Sequence, residues 1–333
     1  MHCISIIIVN WNGQRYLETC LPTVFAQDFT DFSVILVDNG STDNSLAYVR
    51  KHFPQVRVIQ NAANLGFAAA NNQGMRASNS EFVALLNNDT QVAAGWLTSL
   101  LQAMASDPAV GMCAAKMVLT EQPGVIDSAG IALDRSGIAW GIAGGQMEGA
   151  AEVNCPAEVF GASGGATLYR RTMLDEIGLF DEDFFAYLED VDLAWRAQWA
   201  GWKCLYVPTA TVLHLHSATS KQIPHFKSRL LGRNKLWLLC KNYPFPQIVW
   251  YLPIILLYEL LSLGVAWQQK RLGSALAGRL AAFPKMPTML GRRRARVKRI
   301  SSAVMLEKLH PLENPFKIMR RYVHLAKPAI DVK

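Results

Sequence analysis

Carboxylates recur in three short motifs: VDNGSTD at 37–43, LLNNDT at 85–90 and LEDVDLAWR at 188–196. The first two follow apolar runs that read as buried strands, so Asp38 and Asp89 emerge at strand ends, where open α/β sheets bind their ligands. Asp38, followed by Asn-Gly-Ser-Thr, is placed to accept hydrogen bonds from a base imide or a ribose hydroxyl. The plainer alternative is a strand–turn–helix capped by Ser41 or Thr42. In the second motif a buried strand ends in Asn87-Asn88-Asp89. Mg2+ and Mn2+ prefer oxygen ligands and complete their shells with water and substrate phosphates. Asp89 is therefore the candidate ligand and Asn87 a neutral helper, with an Asx-turn as the plainer alternative.

In the third motif Asp192 and Arg196 form an i,i+4 ion pair on a helical pattern. Asp190 has Leu193 and Ala194 at i+3 and i+4 and so no cation of its own. Its neighbour Glu189 raises its proton affinity by like charge. Asp190 is the candidate general base, against the plainer role of a carboxylate at a helix start. His214 and His216 alternate on a strand-like run and face one side, and His214 is the candidate imidazole ligand. The set suits an enzyme that holds a metal–diphosphate and also needs a base.

The elements that must position these groups alternate. Strands are expected at 4–10, 33–38, 56–61, 81–87 and 110–116, and helices at 13–26, from the Gly40–Asp43 turn to about 52, at 67–77 and at 95–105. The run ISIIIVN is continuously apolar and β-branched, as in a strand covered on both faces. Alternation of this kind predicts an α/β fold with a parallel, doubly wound sheet. The Gly-rich stretch 124–149 predicts hairpins or a mobile loop over the site. A strand with a Gly-rich entry is expected at 158–171, helices at 172–177 and 187–200, and a strand at 202–207 followed by the 213–217 run. Beyond Pro224 the pattern is helical. Residues 248–267 are about the length and apolarity of a membrane span, and the basic run GRRRARVKR follows.

The 333 residues are 51% hydrophobic and 18% charged, enough for a core and unlike a disordered chain. The net charge of +7 hides a split between a net-negative part up to Lys241 and a strongly net-positive remainder. A basic tail implies an anionic partner, and the apolar segment beside it favours a membrane surface over nucleic acid. Six scattered cysteines without a CxxC exclude a zinc site or disulfide framework and read as reduced thiols. The run at 4–9 is too short for a signal peptide. Neither G-x-G-x-x-G nor G-x-x-x-x-G-K-[ST] occurs, which excludes the dinucleotide fingerprint and the P-loop.

Taken together, VDNGSTD, NLGF (64–67), LLNNDT, GGATLYRR and FFAYLEDVDLAWR occur in an order that resembles the family 2 glycosyltransferases of the GT-A fold, over roughly residues 4–217. RNKLWLLCKNYP (233–244) is similar to their bacterial rhamnosyltransferase-like branch. The resemblance implies a Rossmann-like, mostly parallel sheet with helices on both faces in residues 1–222. A helical, membrane-associating region would follow in 223–333. It implies an inverting transfer from a nucleotide-diphosphate sugar to a lipid-linked or polysaccharide acceptor at the cytoplasmic face of the inner membrane, with no nucleic acid as partner. Asn10, Trp11, Asn12 and Asp38 would frame the base, Asn64 and Gly66 would border the nucleotide, and Asn87 and Asn88 would line the donor site. Asp89 and His214 would hold Mg2+ or Mn2+, Gly164 and Gly165 would let backbone approach the sugar, and Asp190, beside Glu189, would be the base. Asn87 departs from the family's D-x-D, where the first residue is Asp. A sugar-phosphate nucleotidyltransferase is the rival enzyme, but WNGQRY offers only Arg15 to a triphosphate. A non-catalytic nucleotide-sugar-binding module is the rival of another class, and the intact acidic helix argues against it. The basic flanks of 248–267, with Pro253 and Glu259 inside it, predict a helix that lies on the membrane without crossing it.

Overall fold

The computed structural model describes residues 2–215, 224–312 and Asn314. The boundary expected at 222/223 and the second histidine of the pair, His216, lie outside these residues. In chain order the elements begin β1 (Ile4–Asn10), α1 (Gln14–Phe25), β2 (Phe32–Asp38), α2 (Ser45–His52), β3 (Arg57–Gln60), α3 (Phe67–Ala77), β4 (Phe82–Asn87), β5 (Thr90–Val92), α4 (Trp96–Ala105) and β6 (Val110–Leu119). Short strands β7 (Ile126–Ser128), β8 (Ile131–Leu133), β9 (Ala139–Gly141) and β10 (Ala157–Val159) fill the Gly-rich stretch and its continuation. Then come β11 (Ala166–Arg170), α5 (Arg171–Ile177), α6 (Glu189–Trp199) and β12 (Lys203–His214). The chain closes with α7 (Pro224–Asn242), α8 (Gln247–Gln268), α9 (Leu272–Ala282), α10 (Met286–Ala295) and α11 (Ser302–Lys308).

The sheet runs β10-β12-β6-β11-β4-β1-β2-β3. β4, β1, β2 and β3 are parallel neighbours, as the alternation predicts. Beyond β4 the sheet becomes mixed, within the mostly parallel arrangement expected. β11 inserts antiparallel between β4 and β6, and β12 returns parallel to β6. The cause is the absence of a crossover helix between β6 and β11. A parallel return needs such a crossover. Here the chain stays at the carboxyl end of β6, folds the small hairpins there, and re-enters the sheet running the other way. The two expected runs meet in one long strand, β12, which reaches His214 with a register shift between Val207 and Thr211.

Alternate residues feed two cores, as the two-residue period of a strand requires. Ile7, Ile35, Val37, Val83 and Leu85 join one cluster with Tyr169, Trp195 and Trp199. Ile6, Ile8, Leu36, Ala84 and Leu86 join another with Leu17, Leu21 and Trp96. Trp237, Leu238 and Tyr243 of the C-terminal segment belong to the first cluster, so α7 is packed on the same side of the sheet as α6.

That packing brings charge indoors. Asp192 is fully buried and accepts from Arg196 at 2.9 Å, Lys241 at 2.8 Å and Asn242 at 2.7 Å. Lys241 also meets Asp181 at 2.7 Å. The basic run after α9, expected to face anionic lipid, is largely turned inward. Arg292 pairs with Asp181 and Asp183, Arg293 donates to the Cys240 carbonyl, Arg296 to the Lys241 and Asn242 carbonyls, and Arg299 pairs with Glu176. Part of the tail's positive charge, at Lys285, Arg292, Arg299 and Lys308, therefore has its anionic partner in the acidic first part of the same chain.

α8 shows the opposite arrangement. Ile255, Glu259 and Ala266 face inward, and Glu259 is matched by Lys235 at 2.7 Å and Arg279 at 2.6 Å. Trp250, Leu256, Leu260 and Trp267 face out, Trp250 at 81% exposure. By length and composition α8 is long and apolar enough to cross a membrane, and only 11% of its most apolar window is buried.

Removing one partner of a buried ionic network strands the others, at about 3–5 kcal/mol. Asp192→Ala is expected to lower the unfolding free energy at pH 7 by about that much. Burial alone would favour the neutral Asp192 acid, but Lys241 and Arg196 outweigh it and hold its pKa at about 2, against about 3.9 in an unfolded chain. The carboxylate's stabilisation is thus complete above about pH 4 and is lost as pH falls towards 2. Urea unfolding of wild type and Asp192→Asn should show a gap that narrows below pH 4; a pH-independent gap would refute this account.

Candidate active site

The carboxyl ends of β4, β1 and β2 lie side by side, and one buried amide joins them. Asn10 donates to Asp38 Oδ1 and to Ser41 Oγ, each at 3.1 Å, and its Oδ1 accepts from Asn88 at 2.8 Å. Gly13 packs on this junction so closely that a Cβ there would stand 2.3 Å from Asn88 Nδ2. Asn12, at φ +50, receives the Thr42 N–H at 2.7 Å, and half-buried Trp11 lies between it and Asn10. Asp38 is fully buried, and its second oxygen accepts from the Ser41 N–H at 3.0 Å. Ser41 and Thr42 therefore serve the β1–β2 junction. The turn before α2 is held instead by Asp43, which accepts from the Ser45 N–H at 3.1 Å.

Asn39 extends the framework sideways. It donates to Asn64 Oδ1 and the Gly66 carbonyl and accepts from the Leu65 N–H, fixing the 64–66 loop. Gly66 has φ +88, and a Cβ on it would sit 2.6 Å from the Phe185 carbonyl oxygen. The same Phe185 carbonyl accepts from the Ala68 N–H at 3.0 Å. The loop bordering the expected nucleotide thus touches the segment that leads into α6.

Asp89 and His214 meet. His214 Nε2 lies 3.3 Å from Asp89 Oδ1 and 3.5 Å from Asn87 Nδ2, while Nδ1 is 2.7 Å from Asp127 Oδ2. Burial disfavours the imidazolium, but Asp127 and then Asp89 outweigh it and lift the His214 pKa to about 10. A carboxylate on one ring nitrogen with the other aimed at an acidic ligand is how metal-binding histidines are oriented. Among the described residues no cluster of three or more His, Cys, Asp or Glu side chains forms a metal cage. Asp89 and His214 instead suit an ion that takes the rest of its shell from diphosphate and water.

Asp190 stands at the first turn of α6. Its Oδ2 accepts from the Gly164 N–H at 3.1 Å and its Oδ1 from the Val191 N–H at 2.8 Å. Burial raises its pKa against these two hydrogen bonds. Burial and then the neighbouring Asp190 charge push Glu189 well above the usual carboxylate range, and Glu189 Oε2 has no hydrogen-bond partner. Burial and the adjacent charge thus favour the protonated form of Glu189, and Asp190, half-buried, is the candidate to take a proton. The 163–165 turn links the two halves of the site. Gly164 holds Asp190, and the Gly165 carbonyl accepts from the Asn87 N–H at 2.9 Å. Gly164 thus packs against Phe67 and Asp190, and Gly165 against Asn87 and Met117.

Residues 5–178, a little over half of the chain, match the glycosyl transferase family 2 model. The chain belongs to that family. An N-acetylglucosaminyl-diphospho-decaprenol L-rhamnosyltransferase of Mycobacterium tuberculosis is 32% identical over 243 residues, 65% of this chain and 77% of its own length. A pre-mycofactocin glycosyltransferase of the same organism is 32% identical over 62% of this chain and 41% of its own length. Among solved structures, GalNAc-T7 with UDP, GalNAc and Mn2+ superposes with a TM-score of 0.66 at 16% identity, covering 97% of this chain and 58% of its own. The mannosyltransferase PcManGT of Pyrobaculum calidifontis, with GDP-Man and Mn2+, gives 0.52 at 18% identity, over 92% and 87%. The protein is a family 2 glycosyltransferase of GT-A fold, similar to bacterial rhamnosyltransferases.

Asn10, Trp11, Asn12, Asp38, Asn87, Asn88 and Asp89 lie at the carboxyl ends of β1, β2 and β4, and His214 at that of β12; Asn64 and Gly66 lie in the loop before α3, Gly164 and Gly165 just before β11, and Glu189 and Asp190 at the start of α6. Two contributors were missed. Asp127 sits in a Gly-rich stretch with no periodicity, between Ile126 and Ser128, and nothing in the local pattern marks it. Asn39 follows Asp38 directly, between the strand and the Gly40–Asp43 turn, and no pattern singles it out.

Gly66→Ala and Gly201→Ala separate crowding from backbone strain. Both positions have positive φ, but nothing lies within 4 Å of a Cβ at Gly201. Each change costs about 1–2 kcal/mol for the left-handed backbone, and Gly66→Ala must also displace Phe185. Chemical denaturation is expected to show Gly66→Ala as clearly the more destabilised; equal losses would contradict the close approach.

Proposed function

We propose that this glycosyltransferase moves a sugar, most simply L-rhamnose, from a nucleotide-diphosphate donor to a hydroxyl of a lipid-linked acceptor, with inversion and with help from a divalent ion. The observation that carries the proposal is the 163–165 turn, which joins the metal-suited pair Asp89 and His214, through Asn87, to the base candidate Asp190. The Mn2+ in the two solved structures and the lipid-linked substrate in the mycobacterial relative's name support the reading.

The donor's nucleotide would rest on the Asn10–Asn12 and Asn39–Gly66 framework, with its diphosphate towards Asp89. Asp89 and His214 would hold a divalent ion, which would supply positive charge to the departing diphosphate. Asp127 keeps the His214 ring oriented. Asp190 accepts the proton of the acceptor hydroxyl as its oxygen attacks the anomeric carbon opposite the leaving group. One bond forms as the sugar–phosphate bond breaks, so a single displacement inverts the centre. Burial and the adjacent Asp190 favour the protonated form of Glu189, which limits the negative charge beside the base.

Incubation with dTDP-, UDP- and GDP-sugars and a polyprenyl-diphosphate-linked sugar acceptor tests the reaction, with product configuration read by NMR. Asp190→Asn is expected to abolish transfer with donor affinity retained, EDTA to remove activity, and Asp89→Ala to prevent its rescue by Mn2+. Asp127→Asn should weaken Mn2+ binding about 10–100-fold. Near-wild-type transfer by Asp190→Asn would move the base elsewhere, and full activity in EDTA would remove the metal from the scheme.

We also propose that the outer face of α8 and α9 rests on the cytoplasmic membrane surface without crossing it. Glu259, clasped by Lys235 and Arg279, fixes α8 on its neighbours, while Trp250, Leu256, Leu260, Trp267 and Leu280 point away. Exposed Lys270 at the end of α8 can meet anionic headgroups, worth about 1 kcal/mol for such a residue. Trp250→Ser with Leu260→Ser is expected to abolish co-flotation with anionic vesicles and leave transfer to a water-soluble acceptor intact. A C-terminal tag labelled from outside spheroplasts would show a true span.

A further inference from the structure

The segment between Phe184 and α6 is held in an unusual shape. Phe185 has φ +65 and ψ −63, and the Ala186 N–H donates to the Phe184 carbonyl at 2.8 Å. This is the positive-φ γ-turn, a rare and strained geometry. Tyr187 and Leu188 follow at φ +70 and +69. Three non-glycine residues in the left-handed region therefore immediately precede Glu189 and Asp190. Each costs on the order of 1–3 kcal/mol and persists only where its surroundings over-determine it.

The surroundings that do so come from α7. Asn234 is completely buried, and its amide nitrogen donates to the carbonyls of Phe184 at 3.0 Å, Ala186 at 2.9 Å and Tyr187 at 2.7 Å. Two amide hydrogens thus serve three carbonyls that no helix or strand satisfies. The adjacent Arg233 donates to the carbonyls of Asp183 at 3.1 Å and Phe184 at 2.9 Å. One and two turns further on, Trp237 packs edge-on against Phe184, and Lys241 bonds Asp181 and Asp192 on either side of the segment. The RNKLWLLCKNYP run therefore turns one helix face wholly to the loop that delivers the base.

We infer that Asn234, with Arg233, is a positioning residue for the reaction: it locks the strained 184–188 loop so that Asp190 stands at the site. The C-terminal helices then form part of the catalytic unit as well as its membrane support. Only an amide fills the role. Aspartate has the same shape but offers no donors to three carbonyls, and alanine offers neither.

This rests on Asp190 being the base, so the test reads geometry and rate separately. Full-length wild type, Asn234→Ala, Asn234→Asp and Arg233→Lys are compared by steady-state kinetics and by amide hydrogen exchange, with Asp190→Asn alongside. Misplacing a catalytic group by about 1 Å costs roughly 100-fold in rate. Both Asn234 variants are expected to lose about that much kcat with donor KM little changed, and Arg233→Lys a smaller amount. Amides of 185–191 should exchange faster while β1 and β4 keep their protection. Unchanged kcat, or protection lost evenly through the sheet, would overturn the inference. An active Asp190→Asn would refute the base assignment instead, leaving the exchange pattern to judge the clamp.

Discussion

A carboxylate with no access to water must be matched in charge and in hydrogen bonds, and Asp192 draws its partners from two distant parts of the chain. Arg196 comes from its own helix, while Lys241 and Asn242 come from α7. Because Lys241 also bonds Asp181, and Arg292 bonds Asp181 and Asp183, the match spreads into a network that brackets the loop before α6. Such a network tolerates no loose packing, since an unpaired ion in the interior costs far more than the pair contributes. The placement of α7 and α10, and through them of Asp190, follows from this requirement.

The donor side is built on a different economy of charge. Asn10, Asn39, Asn64 and Asn88 organise three strand ends with neutral amides, each able to donate and accept. The ionised groups there are few. A diphosphate arriving at Asp89 and His214 would not be repelled by a dense acidic framework. The hydrogen-bonded amides hold the loops in shape while leaving the net charge low.

Much of this was legible in the sequence where a local pattern carried it. β1, β2 and β4 announce themselves as continuous apolar runs because both faces of the sheet are covered, and Asp38, Asp89 and Asp190 follow from where those runs and the α6 pattern end. The Asp192–Arg196 pair is a matter of helical spacing. The antiparallel entry of β11 depends instead on a helix that is missing, and no residue marks it. Asp127 reaches His214 across 87 positions of chain. The start of α6 falls two residues later than its apolar spacing suggests, because Tyr187 and Leu188 are bent out of the helix by contacts to α7. The arginines after α9 looked like a lipid-facing cluster because composition gives a charge its sign without its direction. Only the packed structure shows Arg292 and Arg299 on carboxylates of the catalytic part.

The two faces of the C-terminal layer have a practical bearing on how a water-soluble form of this enzyme would be made. Cutting the chain ahead of α7 would discard the apolar surface, but it would also remove Asn234, Lys241 and Asn242 from the loop and helix they hold. The outward side chains of α8 share no hydrogen bonds with that inner face. Polar replacement at Trp250, Leu256, Leu260 and Trp267 would therefore remove the apolar surface and leave the inner contacts in place, where truncation would take away both together.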